Sequence, residues 1–116
     1  MGRLTTHVLD TAHGRPAAGC RIELYALTGG RQLLKTLETN TDGRSDGALL
    51  EGEALRPGVY ELVFDAGAYF AQAGLALPDP PFLERVVVRF GIAAPDQHYH
   101  VPLLLSPWSY TTYRGS

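Results

Sequence analysis

The chain has 116 residues, a hydrophobic share of 45%, a charged share of 19% and a formal net charge of -2. This length suffices for one domain, residues 1–116, with a core of its own, and the near-neutral balance gives no electrostatic reason to expect a nucleic-acid partner. The lone cysteine, Cys20, excludes an internal disulfide framework and reads as a buried structural residue, while no stretch approaches the roughly 18 apolar residues of a membrane span.

The N-terminal residues Met1 to His7 lack the apolar region of a secretory signal, and Arg114-Gly115-Ser116 is not a peroxisomal address, so a cytoplasmic location is expected. Leu4 to Asp10 alternates Leu4, Thr6 and Val8 against Thr5, His7 and Leu9, the period of a half-buried strand. A turn-rich stretch, Ala12 to Gly19, leads to a second strand in which Ile22, Leu24 and Ala26 alternate with Glu23 and Tyr25. Thr28-Gly29-Gly30-Arg31 reverses the chain into a third strand, Gln32 to Thr39, closed by the tight turn Asn40-Thr41-Asp42-Gly43.

Pro57-Gly58 precedes another strand, Val59 to Asp65, and the spacing predicts a short helix over Ala68 to Ala73, bounded by Gly67 and Gly74. Prolines at 78, 80 and 81 keep that connection irregular. Arg85 to Ile92, His98 to Ser106 and Ser109 to Arg114 supply the remaining strands. About seven or eight short strands separated by turns predict an all-β sandwich of two sheets.

Three places carry polar residues that a plain sandwich does not need. His7 lies mid-strand, Arg44 follows the Asp42-Gly43 turn, and His98-Tyr99-His100 puts both histidines on one strand face while Tyr99, Val101, Leu103 and Leu105 take the other, core-facing side. Singly, each has a plainer explanation as a solvated or packed residue, and His13, in a loop flanked by glycine and proline, is read as one. His98 and His100 provide two metal ligands at most, too few for a zinc site. An imidazole can take a proton from water, and arginine offers a fork of donors to carbonyl oxygens, so hydrolysis with water as the nucleophile is the favoured chemistry. No Gly-x-Ser-x-Gly elbow supports a serine nucleophile.

Leu4-Thr5-Thr6-His7-Val8-Leu9-Asp10 with Gly14-Arg15-Pro16-Ala17, then Thr41-Asp42-Gly43-Arg44, Pro81-Phe82-Leu83, His98 to Pro107 and the closing Tyr113-Arg114-Gly115-Ser116, together resemble the ordered motifs of the transthyretin-related 5-hydroxyisourate hydrolases. The resemblance runs from residue 4 to residue 116. It implies a transthyretin-like sandwich of two four-stranded sheets with one short helix, assembled as a homotetramer with active sites at the dimer–dimer interface. It further implies hydrolysis of a ring amide of 5-hydroxyisourate in urate degradation, without a cofactor or metal. His7, Arg44, His100 and Tyr113 fall on that family's site positions, with His98 nearby. By this analogy His100 with His7 activates water, Arg44 binds ring oxygens and the developing oxyanion, Tyr113 closes the pocket, and Ser116 adds its hydroxyl or carboxylate. The rival expectation is a transthyretin-like carrier of an aromatic small molecule. Transthyretin itself, however, has lysine at the position of His7 and lacks the Tyr-Arg-Gly-Ser ending.

Overall fold

The computed structural model describes residues 1–116. Its strands are β1 (Arg3–Asp10), β2 (Arg15–Pro16), β3 (Arg21–Ala26), β4 (Gln32–Glu38), β5 (Leu50–Glu51), β6 (Gly58–Phe64), β7 (Val86–Ile92), β8 (His98–Leu105) and β9 (Tyr110–Thr112), with one helix, α1 (Ala66–Gln72). One sheet runs β4-β3-β6-β7, all antiparallel; the other runs β2-β1-β8-β9, with β5 also paired to β1. The two dipeptide strands, β2 and β5, are too short to show any periodicity in the sequence. They attach to opposite ends of β1, at Leu9 and Asp10 and at Arg3 and Leu4.

The alternation read from the sequence follows from burial. Leu4, Thr6, Val8 and Asp10 of β1 face inward, as do Tyr99, Val101, Leu103 and Leu105 of β8. They meet Ile22 and Leu24 of β3, Leu62 and Phe64 of β6, and Val86 and Val88 of β7 in a core of 21 buried residues. Burying one such aliphatic side chain contributes about 1.5–3 kcal/mol. Cys20 is fully buried in this core, and desolvation pushes its thiol up to about 12, so it is inert.

The helix starts two residues earlier than the spacing predicts, at Ala66 rather than Ala68, and takes in Gly67. Packing explains the difference. Gly67 donates its N–H to the Glu84 carbonyl, and a Cβ there would lie 2.8 Å from the Pro81 ring, so its glycine serves close approach rather than helix termination. No helix is long and apolar enough to cross a membrane.

The pairing that matters most for the site is parallel. Strand β1 lies beside β8 in unbroken register from Arg3 opposite His98 to Asp10 opposite Leu105. Thr5 is thereby set opposite His100, and His7 opposite Pro102.

Candidate active site

Four segments converge on the outward face of the β1–β8 pair. The first is β1, which presents Thr5 and His7 there while Leu4, Thr6 and Val8 enter the core. The second is β8, which presents His98 and His100.

The turn at 40–43 supplies the third. The Asn40 side-chain oxygen accepts hydrogen bonds from the Asp42 and Arg44 N–H groups, and its carbonyl accepts one from Gly43 at 2.9 Å. Gly43 has φ +76°, and a Cβ there would collide with the Val8 carbonyl, so only glycine lets the turn press against β1. The Gly43 carbonyl accepts from Val8 N–H at 2.8 Å, and Arg44 then pairs with His7 in a one-residue antiparallel bridge.

The C-terminal tail is the fourth. Gly115 donates its N–H to the His100 carbonyl at 2.8 Å, and a Cβ on Gly115 would meet His100 Cδ2 at the same distance, 2.8 Å. Glycine therefore lets the backbone lie against the imidazole edge. Arg114 pins this segment: its Nη2 donates to the Gln97 side-chain oxygen at 3.0 Å and to the His98 carbonyl at 3.2 Å, while its guanidinium carbon sits 4.1 Å from the Tyr99 ring centre.

These segments enclose an open hollow of about 310 Å³ lined by Arg3, Thr5, Thr6, Arg44, Ser45, Gly47, His98, His100 and Ser116. No lining residue is hydrophobic and none has a carboxylate side chain, so the lining is rich in side-chain donors and suited to a polar, oxygen-rich ligand. A larger depression, about 520 Å³ beside Arg15, Pro16 and Tyr69, contains none of these histidines.

The hydrogen bonds define the imidazoles. His7 Nε2 lies 2.9 Å from the Asp42 carbonyl oxygen, which can only accept, so Nε2 carries the hydrogen. One hydroxyl, Thr5 Oγ1, lies 2.9 Å from His98 Nε2 and 2.7 Å from His100 Nδ1. Burial, then the Arg44 charge, then His7 and His98, hold His100 below the usual imidazole value. His7 is lowered too, by burial first and Arg44 second, with the Asp42 carbonyl opposing. Both shifts favour the neutral ring, the form able to accept a proton.

Of the residues expected from the sequence, Arg44, His98, His100 and Ser116 line the hollow, and His7 stands next to it, bridged to Arg44. Tyr113 does not join them within one chain. It is 58% exposed and lines a separate hollow with Val88, Phe90, Tyr99 and Val101. Strand β9 ends at Thr112 and pairing resumes only at Gly115, so the strand alternation does not carry through Tyr113.

Two participants escaped the sequence reading. Thr5 was visible only as a neighbour of His7 on one strand face, and its link to the β8 histidines depends on a parallel pairing that no local pattern encodes. Arg114 was visible only within the closing tetrapeptide. His13 is the exposed loop residue its reading made it, tied down by Asp10: its Nδ1 lies 2.6 Å from Asp10 Oδ2, and its backbone N–H donates to Asp10 Oδ1.

The sequence profile of the HIUase/Transthyretin family matches residues 4–115. The chain is 66% identical over 116 residues to 5-hydroxyisourate hydrolase 2 of Rhizobium meliloti, covering 99% of this chain and 97% of that one. Among solved structures, the Klebsiella pneumoniae 5-hydroxyisourate hydrolase superposes with a TM-score of 0.83 at 34% identity, covering 100% of both chains. An (S)-allantoin synthase superposes with a TM-score of 0.94 at 49% identity over 99% of this chain, which spans only 44% of that longer one. With its two sheets, single short helix and near-complete match to the profile, the chain belongs to the HIUase/Transthyretin family.

Proposed function

We propose that residues 1–116 act as one hydrolase domain that opens a ring amide of 5-hydroxyisourate to give 2-oxo-4-hydroxy-4-carboxy-5-ureidoimidazoline, a step of urate and hence purine degradation. The observation that carries this reading is the convergence of Arg44, His98, His100 and Ser116, with His7 adjacent, on one hollow with no carboxylate side chain. The activity printed in the names of the Rhizobium and Klebsiella relatives supports it.

In the proposed mechanism His100, assisted by His7, takes a proton from water as the water oxygen attacks the ring carbonyl. Arg44 donates to the oxygen that becomes negative, the kind of fixed donor that loses about 10²–10³ in turnover when removed. The protonated imidazole then returns its proton to the departing ring nitrogen. Imidazoles whose neutral form is favoured by burial and by Arg44 suit this base role near neutral pH. In this reading imidazole alone activates the water, without a metal.

The same reading includes a homotetramer with sites at the dimer–dimer interface. Phe82 and Trp108, 68% and 60% exposed with ring centres 5.7 Å apart, are large apolar groups left uncovered in one chain, which supports such burial. Tyr113 would reach the hollow only through such an assembly.

The test is the ultraviolet absorbance of 5-hydroxyisourate, generated in place from urate by urate oxidase. Accelerated loss of its band with the protein, returning toward the spontaneous rate with His100→Ala, is expected. Decay at the spontaneous rate with the folded wild-type protein would overturn the hydrolase reading in favour of a carrier.

A further inference from the structure

A hydroxyl has one hydrogen to donate, and Thr5 Oγ1 has two imidazole nitrogens within reach, at 2.7 and 2.9 Å. It can donate to only one of them, so at least one of the two ring nitrogens must donate to it. The tautomers of His98 and His100 are therefore coupled through Thr5. In one arrangement Thr5 donates to His100 Nδ1, and the neutral His100 ring carries its hydrogen on Nε2 and has no free lone pair there. In a second, which alone links the two rings through a donated hydrogen while leaving His100 a base, His100 Nδ1–H donates to Thr5, Thr5 donates to His98 Nε2, and His100 Nε2 is left open.

The surroundings favour the second arrangement during turnover. His100 is half-buried and faces Arg44 and His7 from other segments and His98 from its own strand, with Arg3 lining the same hollow. His98 is exposed to water. A positive charge created on His100 is better solvated when moved outward to the exposed His98.

We infer that Thr5 is a positioning residue of the reaction, presenting His100 with Nε2 unprotonated and relaying a proton between His100 and His98. The inference rests on the hydrolase reading with His100 as base. As His100 Nε2 takes a proton from the attacking water, the Nδ1 hydrogen passes to Thr5 Oγ1, and the hydroxyl's own hydrogen passes to His98 Nε2. A neutral His98 holding its hydrogen on Nδ1 becomes the imidazolium, and His100 ends neutral. The reverse transfer restores a proton to His100 for the departing ring nitrogen. No proton is gained or lost by the three groups beyond the one taken from water and given back.

Thr5→Val keeps the shape and strand preference but removes the hydroxyl, and Thr5→Ser keeps the hydroxyl. Nitrogen-15 NMR of the histidine rings, with kcat and KM for 5-hydroxyisourate across pH, reads both parts of the inference. The wild-type protein and Thr5→Ser are expected to show His100 in the Nδ1–H form when neutral. Thr5→Val is expected to lose that preference, to drop kcat at least tenfold with KM within twofold, and to show a changed pH profile.

A folded Thr5→Val that keeps the His100 tautomer or the wild-type kcat overturns the relay, as does a Thr5→Ser no more active than Thr5→Val. Thr5→Ala is read in the same way should valine disturb the fold. If the hydrolase reading itself fails, the wild type shows no turnover while the tautomers remain measurable, so the two failures are distinguishable.

Discussion

Strand β1 serves two histidine environments, one on each face, and they differ in what the imidazole meets. On the inner face Asp10, fully buried, accepts from the Tyr69 hydroxyl at 2.8 Å and from the His13 backbone, and contacts the His13 ring at 2.6 Å. Burial by itself would raise the Asp10 carboxyl, but the Tyr69 and His13 hydrogen bonds outweigh it and hold the group below the ordinary carboxylate value. On the outer face His7 and His100 meet a carbonyl, a hydroxyl and a guanidinium, with no Asp or Glu side chain in the hollow. The carboxylate–imidazole pair is the one a reader of active sites would single out, yet its hydrogen bonds tie the loop after β1 to helix α1. What sets the outer group apart is its place: His98 and His100 open onto a hollow they share with Arg44.

The sharpest way to break this contrast is to remove one side chain from each environment. His100→Ala should lower kcat/KM by about 10³, within the usual range for a general base, with little change in thermal midpoint. Asp10→Ala should do the opposite, costing about 3 kcal/mol in urea unfolding because Tyr69 and His13 lose a buried partner, while turnover per folded molecule stays as it was. Should Asp10→Ala abolish turnover in protein shown to be folded, the assignment of the inner cluster to structure fails.

Two smaller effects sharpen the picture. Arg114→Ala frees the tail from Gln97, the His98 carbonyl and the Tyr99 face, and should lower kcat/KM by roughly tenfold, as expected for lost positioning rather than lost chemistry. The pH dependence should separate the clusters most finely. Because His7 and His100 are lowered, activity should persist below the ordinary imidazole value of about 6.5 and fall only at more acid pH. The same shifts mean that the unfolded chain takes up protons first, so these rings reduce stability as pH falls from about 6.5 toward their lowered values. Asp10 acts in a lower window: its contribution is present above the unfolded value of about 3.9 and is lost as pH falls through its depressed folded value.

Much of this was legible in the residues. Period-two alternation located β1, β3, β6 and β8, and it placed His98 and His100 on one face because a strand has no other way to present residues two apart. The Asp42-Gly43 turn was legible because only glycine takes the backbone angle seen at position 43. What was not legible depends on contacts distant in sequence. The parallel pairing of β1 with β8 leaves no local signature, so Thr5 was a plain strand threonine until His100 came beside it. The Asp10 cluster was not legible either, because Tyr69, which shares Asp10 with His13, is brought there only by the packing of α1. The side taken by Tyr113 is set where β9 stops, beyond the reach of an alternation rule.

The parallel β1–β8 pairing also bears on how the molecule comes into being. Thr5 and His100 are 95 positions apart, and the tail that returns to His100 follows later still. During synthesis the first strand must wait, with its edge unpaired, until nearly the whole chain has emerged. Contacts of such long range carry a large loop-closure cost and form late. Activity should therefore appear as one of the last events of folding, making turnover itself a stringent clock for completion of the native topology.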